Sequence, residues 1–404
     1  MDKDEDATEP VDFDVSVVLP AGGCGQRFGC DLPKQYNILL DQPVILHTIN
    51  AFHRITWIKR VVVVVNKSFL PFMEQLVQDN CLDKVVLVKG CSTRHRSIYA
   101  GVKSLVKGED KSSVVVIHDA VRPLIDETVV KKIVCYAKTY GASGVTRPLV
   151  STVISPDDDG LLKESLDRSR YCASEMPQGF QLKVLQTAYE MSDDNDFDYG
   201  TECLLLAMKY TGTRAKLFTG PDNLWKVTHR KDLYAAEAIL KEQNISVQVI
   251  FSSCPEDQDL LKTVLSQFRS KMLVVKENES SGSVSCNSAV FIYSHITNSA
   301  ISENTQSVLK PTVDTNVTME TVLKPCIIHV CNGRKLNSED TFEFMRIIRE
   351  MTENFPDSLS FGILNFNIAD YKKLSDMVTS LIWNRDSTLS GQTFVIHCNK
   401  NNRI

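Results

Sequence analysis

From Val15 onward, short apolar runs alternate with amphipathic stretches. Val15–Leu19, Val61–Val65, Lys84–Val88 and Val114–Ile117 are runs of strand length, rich in valine. Between them apolar positions return at helical spacing over about 45–55, 68–79 and 94–106, and again over about 126–140. Strand and helix alternating in this way predict an α/β domain with a largely parallel sheet. In such sheets ligands bind beyond the C-terminal ends of the strands, which singles out the loops after Leu19, Val88 and Ile117.

The alternation breaks at Pro148. In RPLVSTVISPDDDGLLKESLDR, the runs Val150–Ile154 and Leu161–Leu166 flank the turn signal PDDDG and read as a projecting β-hairpin. Helical spacing resumes over Gln181–Met191 and Thr201–Lys209, a strand is expected at Ala215–Thr219, and a helix at about 230–243 closes the domain. A second α/β pattern follows from near Ile245. Its expected strands are Val247–Ser252, Lys271–Val275, Cys326–Val330 and Ser360–Leu364; its expected helices are Gln258–Arg269 and about 338–353 and 369–383. The division is therefore an acidic tail at 1–13, a first domain at 14–245 with the hairpin arm at about 148–170, and a second domain at 246–404. The tail is read as disordered from its composition.

A chain of 404 residues is long for one core, in keeping with two domains. A formal net charge of −5 gives no global positive field, so neither nucleic acid nor an acidic membrane surface is indicated and an anion site must be local. No apolar run reaches membrane-spanning length, and MDKDEDATEP lacks the basic and apolar regions of a secretory signal. The twelve cysteines include no C-x-x-C pair, so reduced thiols in the cytosol are expected.

Candidate chemistry gathers where the strands end. LPAGGCGQRFGCDLPKQY, from Leu19, has the glycines of a phosphate nest but neither the G-K-[ST] of a P-loop nor the third glycine of a dinucleotide turn. It adds Arg27 and Lys34, two cations suited to charge developing on a transferring phosphoryl group. The alternative is a glycine-rich turn with two solvated basic side chains. In VVIHDAVRP, Asp119 stands just past a strand, where a carboxylate can hold Mg²⁺ against phosphates or simply pair with Arg122. His118 reads as a structural histidine. GCSTRHRS, at Gly90–Ser97, places Arg94, His95 and Arg96 at a helix start, as an anion site or as solvated charge. Lys226 in DNLWKVT and Arg168 in SLDRSR are unremarkable taken singly.

Taken together and in order, LPAGGCGQRF, PKQY, GxxxRxxS, HDAxRP, SLDR, PQ and KVT resemble the cytidylyltransferases related to 4-diphosphocytidyl-2-C-methyl-D-erythritol synthase, over roughly residues 14–245. The resemblance implies a Rossmann-like nucleotidyltransferase domain with a β-hairpin dimerisation arm, followed here by a second, smaller Rossmann-like α/β domain. It implies transfer of CMP from CTP to a sugar-alcohol phosphate, with Mg²⁺ or another divalent cation. Arg27 and Lys34 would stabilise the transition state, together with Arg168. Ala21, Gly22, Gly23 and Gly25 would wrap the triphosphate. Gly90, Cys91, Ser92 and Ser97 would lie near cytosine and ribose, with Asp119, Ala120 and Lys226 also on the nucleotide. Asp119 would bind the metal. The arm would interlock two subunits in a homodimer, with Arg122, Thr152 and Arg168 serving the acceptor phosphate.

Departures from the family pattern bear on the acceptor. Cys91 replaces a glycine, Met176 replaces the threonine before PQ, and the second metal-site aspartate aligns with Asn223, leaving Asp222 one place away. SEMPQ, GTECL and LWKVT, with the appended domain, resemble eukaryotic members and imply D-ribitol 5-phosphate as acceptor and CDP-ribitol as product. Methylerythritol phosphate is the alternative acceptor, and an inactive nucleotide-binding scaffold the alternative class. A dehydrogenase reading of the second half has no glycine fingerprint to support it; SSCPEDQD follows its first strand instead.

Overall fold

The computed structural model describes residues 10–23, 32–107, 113–200, 202–251, 266, 274–277, 288–293, 323–332, 337–356, 358–365 and 371–396. The chain divides into two units, Met1–Glu237 and Ala238–Ile404.

The first unit begins with β1 (Val15–Ala21), the short pair β2 (Ile38–Leu39) and β3 (Gln42–Pro43), α1 (Val44–His53), β4 (Ile58–Val65), α2 (Leu70–Asp79), β5 (Val85–Lys89), α3 (Arg94–Lys107) and β6 (Val114–Ile117). It continues through α4 (Glu127–Tyr140), β7 (Ala142–Pro148), β8 (Ile154–Pro156), β9 (Leu162–Ser165) and β10 (Cys172–Gln181). It ends with α5 (Leu182–Met191), α6 (Asp194–Tyr199), α7 (Cys203–Thr211), β11 (Lys216–Thr219) and α8 (Arg230–Asn244), whose last turns belong to the second unit.

The main sheet has the order β11-β7-β10-β6-β1-β4-β5. β10 runs antiparallel to both its neighbours, and the other pairings are parallel. Val61–Val65 explain why the centre reads as unbroken valine. Alternate side chains of β1, β4 and β6 feed two different cores, one holding Val17, Leu19, Val61 and Val63, the other Val18, Val62 and Val64. Both faces of the strand are buried, so no polar alternation is possible. Chain order changes direction around β1, between β6 and β4, which opens a crevice at the strand ends.

Two strands of the main sheet escaped the sequence pattern: β7 and β10. Both are built from small and polar residues, because helices press on them. A Cβ on Gly144 would lie 2.6 Å from the Leu204 side chain, and one on Gly179 would lie 2.7 Å from that of Ile133. Residues 1–9 of the expected tail lie outside the described residues, but its end is ordered against the fold. Val11 and Phe13 pack against the core, and the Lys138 ammonium lies 5.1 Å from the Phe13 ring centre.

The hairpin arm is present, shorter than expected. β8 pairs with β9 from Ile154↔Ser165, and Gly160 turns the chain at φ +80°. Asp157 Oδ1 accepts from the amides of Asp159 and Leu161 at 3.1 and 2.8 Å, which is why PDDDG makes the turn. Arg168 Nη1 donates to the Val150 carbonyl at 2.8 Å and closes the arm's base.

The second unit carries β12 (Ser246–Phe251), β13 (Val274–Glu277), β14 (Ser288–Tyr293), β15 (Cys326–Asn332), β16 (Leu359–Asn365) and β17 (Thr393–Ile396). They form one parallel sheet ordered β13-β12-β14-β15-β16-β17. Phe344, Ile347, Ile348 and Met351 of the helix Ser338–Asn354 pack on Phe291, Ile327 and Leu364. β14 and β17 were not expected. The helix expected over Gln258–Arg269 lies outside the described residues apart from Ser266, and SSCPEDQD lies wholly outside them.

Candidate active site

The crevice at the C-terminal ends of β1 and β6 is a cleft of about 540 Å³, lined among others by Ala21, Gly22, Gly23, Lys34, Cys91, Ser92, Ser97, Asp119, Ala120 and Lys226. The structure thus brings together residues from five of the separate motifs: the glycine loop, PKQY, GxxxRxxS, HDAxRP and KVT. Gly25 and Arg27 lie outside the described residues.

The glycine loop is held from beneath. Gln35, 3% exposed, donates through Nε2 to the carbonyls of Ala21 and Gly23 at 2.7 and 2.9 Å. Lys34, its neighbour on a short 3₁₀ turn, donates to the Val227 carbonyl at 3.0 Å. Gln35 was not singled out in the sequence, where it stands only as the third residue of PKQY. Thr93, Arg94 and Thr228 also line the cleft without having been assigned to it.

On the opposite wall the Gly90 amide donates to the Val65 carbonyl at 2.7 Å, and a Cβ at Gly90 would stand 3.2 Å from that oxygen. Only glycine fits without displacing the sheet. Ser97 Oγ accepts from the Cys91 amide at 3.0 Å and so fixes the loop entering α3, whose first residue is Arg94. A helix N-terminus at the cleft edge favours anions. The three basic residues here diverge. Arg94 turns to Asp119, and His95 is buried with Nδ1 against the Tyr189 hydroxyl at 2.9 Å. Arg96 pairs outside with Asp194 and Asp198.

Asp119, 5% exposed, is the focus of the charge. Lys226 Nζ lies 3.2 Å from Oδ2, Arg122 Nε 3.0 Å from Oδ2, and Arg94 Nη2 3.4 Å from Oδ1. Burial pushes its carboxyl up, but Lys226, Arg94 and Arg122 outweigh that and hold it well below the usual carboxylate range. It is an anion throughout the physiological range. The loops bearing it are stitched together: Thr48 Oγ1 donates to the Ala120 carbonyl at 3.1 Å, and the Val227 amide to the Val121 carbonyl at 3.0 Å.

Other expected residues stand elsewhere. Arg122, expected at the acceptor phosphate, is 8% exposed and does not line the cleft; it is drawn inward by Asp119, Glu175 and the Leu224 carbonyl. Met176 is buried in β10. Asp222 is exposed and outside the cleft lining, with its backbone carbonyl facing Arg147. Thr152 is exposed on the arm, and Arg168 lines a separate hollow of about 380 Å³ with Leu149, Ser169, Tyr171 and Thr219. Among the described residues no group of three His, Cys, Asp or Glu could hold a metal by itself.

His118 is fully buried. Its Nε2 donates to the Arg122 carbonyl at 3.0 Å, and burial pushes its pKa down to about 4. The unfolded chain takes up a proton near pH 6.5 and the folded chain does not. Stability should therefore fall on acidification from about pH 6.5 to 4, by up to about 1.4 kcal/mol per pH unit, and level off below. His95, pushed down to about 4 chiefly by burial, acts in the same direction. Denaturant midpoints between pH 7 and 5 should show this slope, and His118→Gln should flatten it. An unchanged slope in that variant would refute the assignment.

A glycine-lined cationic cleft at the switch point of a doubly wound sheet defines a nucleotide-binding transferase of the α/β class. The chain matches the family described as IspD, 2-C-methyl-D-erythritol 4-phosphate cytidylyltransferase, over residues 15–242, and belongs to that cytidylyltransferase family. It is 36% identical to the D-ribitol-5-phosphate cytidylyltransferase of Homo sapiens over 405 residues, 94% of this chain and 90% of the relative. It is 50% identical to that of Xenopus tropicalis over 240 residues, 58% of each chain. It is 32% identical to the 2-C-methyl-D-erythritol 4-phosphate cytidylyltransferase of Syntrophus aciditrophicus (strain SB) over 231 residues, 57% of this chain and 97% of the relative. The bacterial relative is thus matched across nearly its whole length by a stretch no longer than the first unit. Among the described residues no helix is long and apolar enough to cross a membrane.

Proposed function

We propose that this protein transfers CMP from CTP to D-ribitol 5-phosphate, releasing pyrophosphate and CDP-ribitol. The reaction is supported above all by the placement of Asp119 among Lys226, Arg94 and Arg122 beside the glycine loop. The acceptor is supported by similarity to the human ribitol enzyme through both units, where the bacterial relative matches little more than one.

The chemistry asks little of a protein base. An acceptor phosphate oxygen, already anionic, attacks the α-phosphorus in line; a new P–O bond forms as the bond to the β-phosphate oxygen breaks. Catalysis is then positioning and electrostatics. Backbone amides of Ala21–Gly23 and the cations Lys34 and Lys226 hold the phosphates, and Arg27 is assigned beside them by its motif. Cys91, Ser92 and Ser97 face the nucleoside. Mg²⁺ is the cofactor we propose: Asp119 offers the hard, ionised oxygen it prefers and would hold it together with phosphate oxygens and water. When bound it would neutralise phosphate charge. Asp222 is not needed for this reading.

The arm supports a homodimer, because Leu161 and Leu162 are 66% and 68% exposed at its tip. Thr152 and Arg168 would then serve the partner's acceptor. We place the enzyme in the cytosol, its product serving as donor for ribitol phosphate on the O-mannosyl glycan of α-dystroglycan. The test is pyrophosphate release from CTP with ribitol 5-phosphate, ribose 5-phosphate and methylerythritol phosphate. Preference for ribitol 5-phosphate is expected; preference for methylerythritol phosphate would overturn the acceptor, and silence with all three the reaction.

A further inference from the structure

The ion pairs around Asp119 continue inward. Arg122 donates through Nε to Asp119, and through Nη1 to Glu175 and to the Leu224 carbonyl. Glu175 Oε1 also takes Arg147 Nη2 at 2.9 Å, and Arg147 Nη1 reaches the Asp222 carbonyl at 3.4 Å. The line Asp119–Arg122–Glu175–Arg147 thus runs from the cleft to the residue before Pro148, where the arm leaves β7. Glu175 is 7% exposed, while the Arg147 side chain is 31% exposed.

The sheet places this line on one flank of the cleft. The loops after β1, β5 and β6 line the cleft, whereas β10 and β7 lie on the other flank of β6. Glu175 sits in the part of β10 between Ser174 and Gln178 where the register with β7 shifts, level with the loop beyond β6. A buried carboxylate between two arginines is a poor way to gain stability alone, since desolvation consumes most of the attraction. Its value lies in what it fixes.

We propose that Glu175 and Arg147 are positioning residues for the transfer step, acting through the groups at the cleft and not on a substrate. Glu175 holds Arg122 as a brace, which sets Asp119 and, through the Leu224 carbonyl, the loop that carries Lys226. Arg147 anchors the same brace at the root of the arm. Arg122 then acts through Asp119 and not on the acceptor phosphate. The inference rests on the cytidylyltransferase reading but not on which polyol phosphate is used.

Glu175→Gln and Arg147→Gln, singly and together in the full chain, test it. Glu175→Gln leaves Arg122 paired with Asp119 and the part-exposed Arg147 with the Asp222 carbonyl and solvent, and the double variant removes one charge of each sign, so neither strands a buried charge. Each single change should lower kcat/KM for the acceptor by roughly 10- to 100-fold, because small misplacements cost the transition state most. CTP binding measured calorimetrically without acceptor should stay within about 2-fold, being spread over many contacts. The double variant should be no worse than the more damaging single one, as members of one network act non-additively. CTP affinity falling in step with turnover, or single losses that multiply, would overturn the brace. Wild-type preference among the three acceptors decides the acceptor reading separately, since the variants are compared on whichever acceptor wild type prefers.

Discussion

Asp119→Asn should reduce turnover by about 10²–10³-fold while leaving CTP binding in EDTA undiminished or tighter. Three cations, Lys226, Arg94 and Arg122, converge on this carboxylate within 3.4 Å. Neutralising it leaves Lys226 and Arg94 without their carboxylate at the cleft wall, where a nucleotide with several negative charges arrives, while Arg122 keeps Glu175. Ground-state attraction therefore rises or holds. The transition state loses the anion that orders Lys226 and the oxygen that we assign to the divalent cation. Pyrophosphate release and equilibrium CTP binding, measured on the same preparation, separate the two effects. Turnover within about threefold of wild type would remove Asp119 from the reaction, that being less than one lost hydrogen bond costs at such a site. Weaker binding in EDTA would show instead that its charge mainly keeps the cations in place.

The parts of this molecule that could be read in advance share a physical cause. Val61–Val65 and Val114–Ile117 are buried on both faces, so they announce strands by composition alone. The loops after them gather glycine, Asp119 and Cys91–Ser97 at one sheet edge because parallel topology puts strand ends together. β7 and β10 were illegible because close helix packing replaces their apolar residues with Gly144 and Gly179, which carry no hydrophobic signal. β10 is also the reversed strand, so the antiparallel element went with it. The ion pair between Arg122 and Glu175 failed to show for a related reason. Glu175 lies far along the chain, on the strand that could not be seen. Gln35 has no periodic signature at all; only its hydrogen bonds to Ala21 and Gly23 reveal it.

The arm carries the other large effect. Deleting residues 150–166 should yield a monomer that binds CTP yet turns over acceptor at least about 100-fold more slowly, since one set of positioning groups is lost. The reason is placement: Arg168 and Thr152 do not line the cleft of their own chain, while Leu161 and Leu162 at the tip are about two-thirds exposed. Deletion alone cannot say whose cleft the arm serves, but complementation can. Asp119→Ala and Arg168→Ala should each be nearly inactive as homodimers. Co-expressed under two different tags and purified through both, they form a heterodimer with one intact cleft facing one intact arm. Its activity should return to roughly half of wild type, as closed two-fold symmetry requires of one working site in two. If the arm acted on its own chain, every site in that heterodimer would keep a lesion and activity would stay at the level of the parents. Light scattering on each preparation fixes the subunit number, so a monomeric wild type would end the argument before any rate is measured.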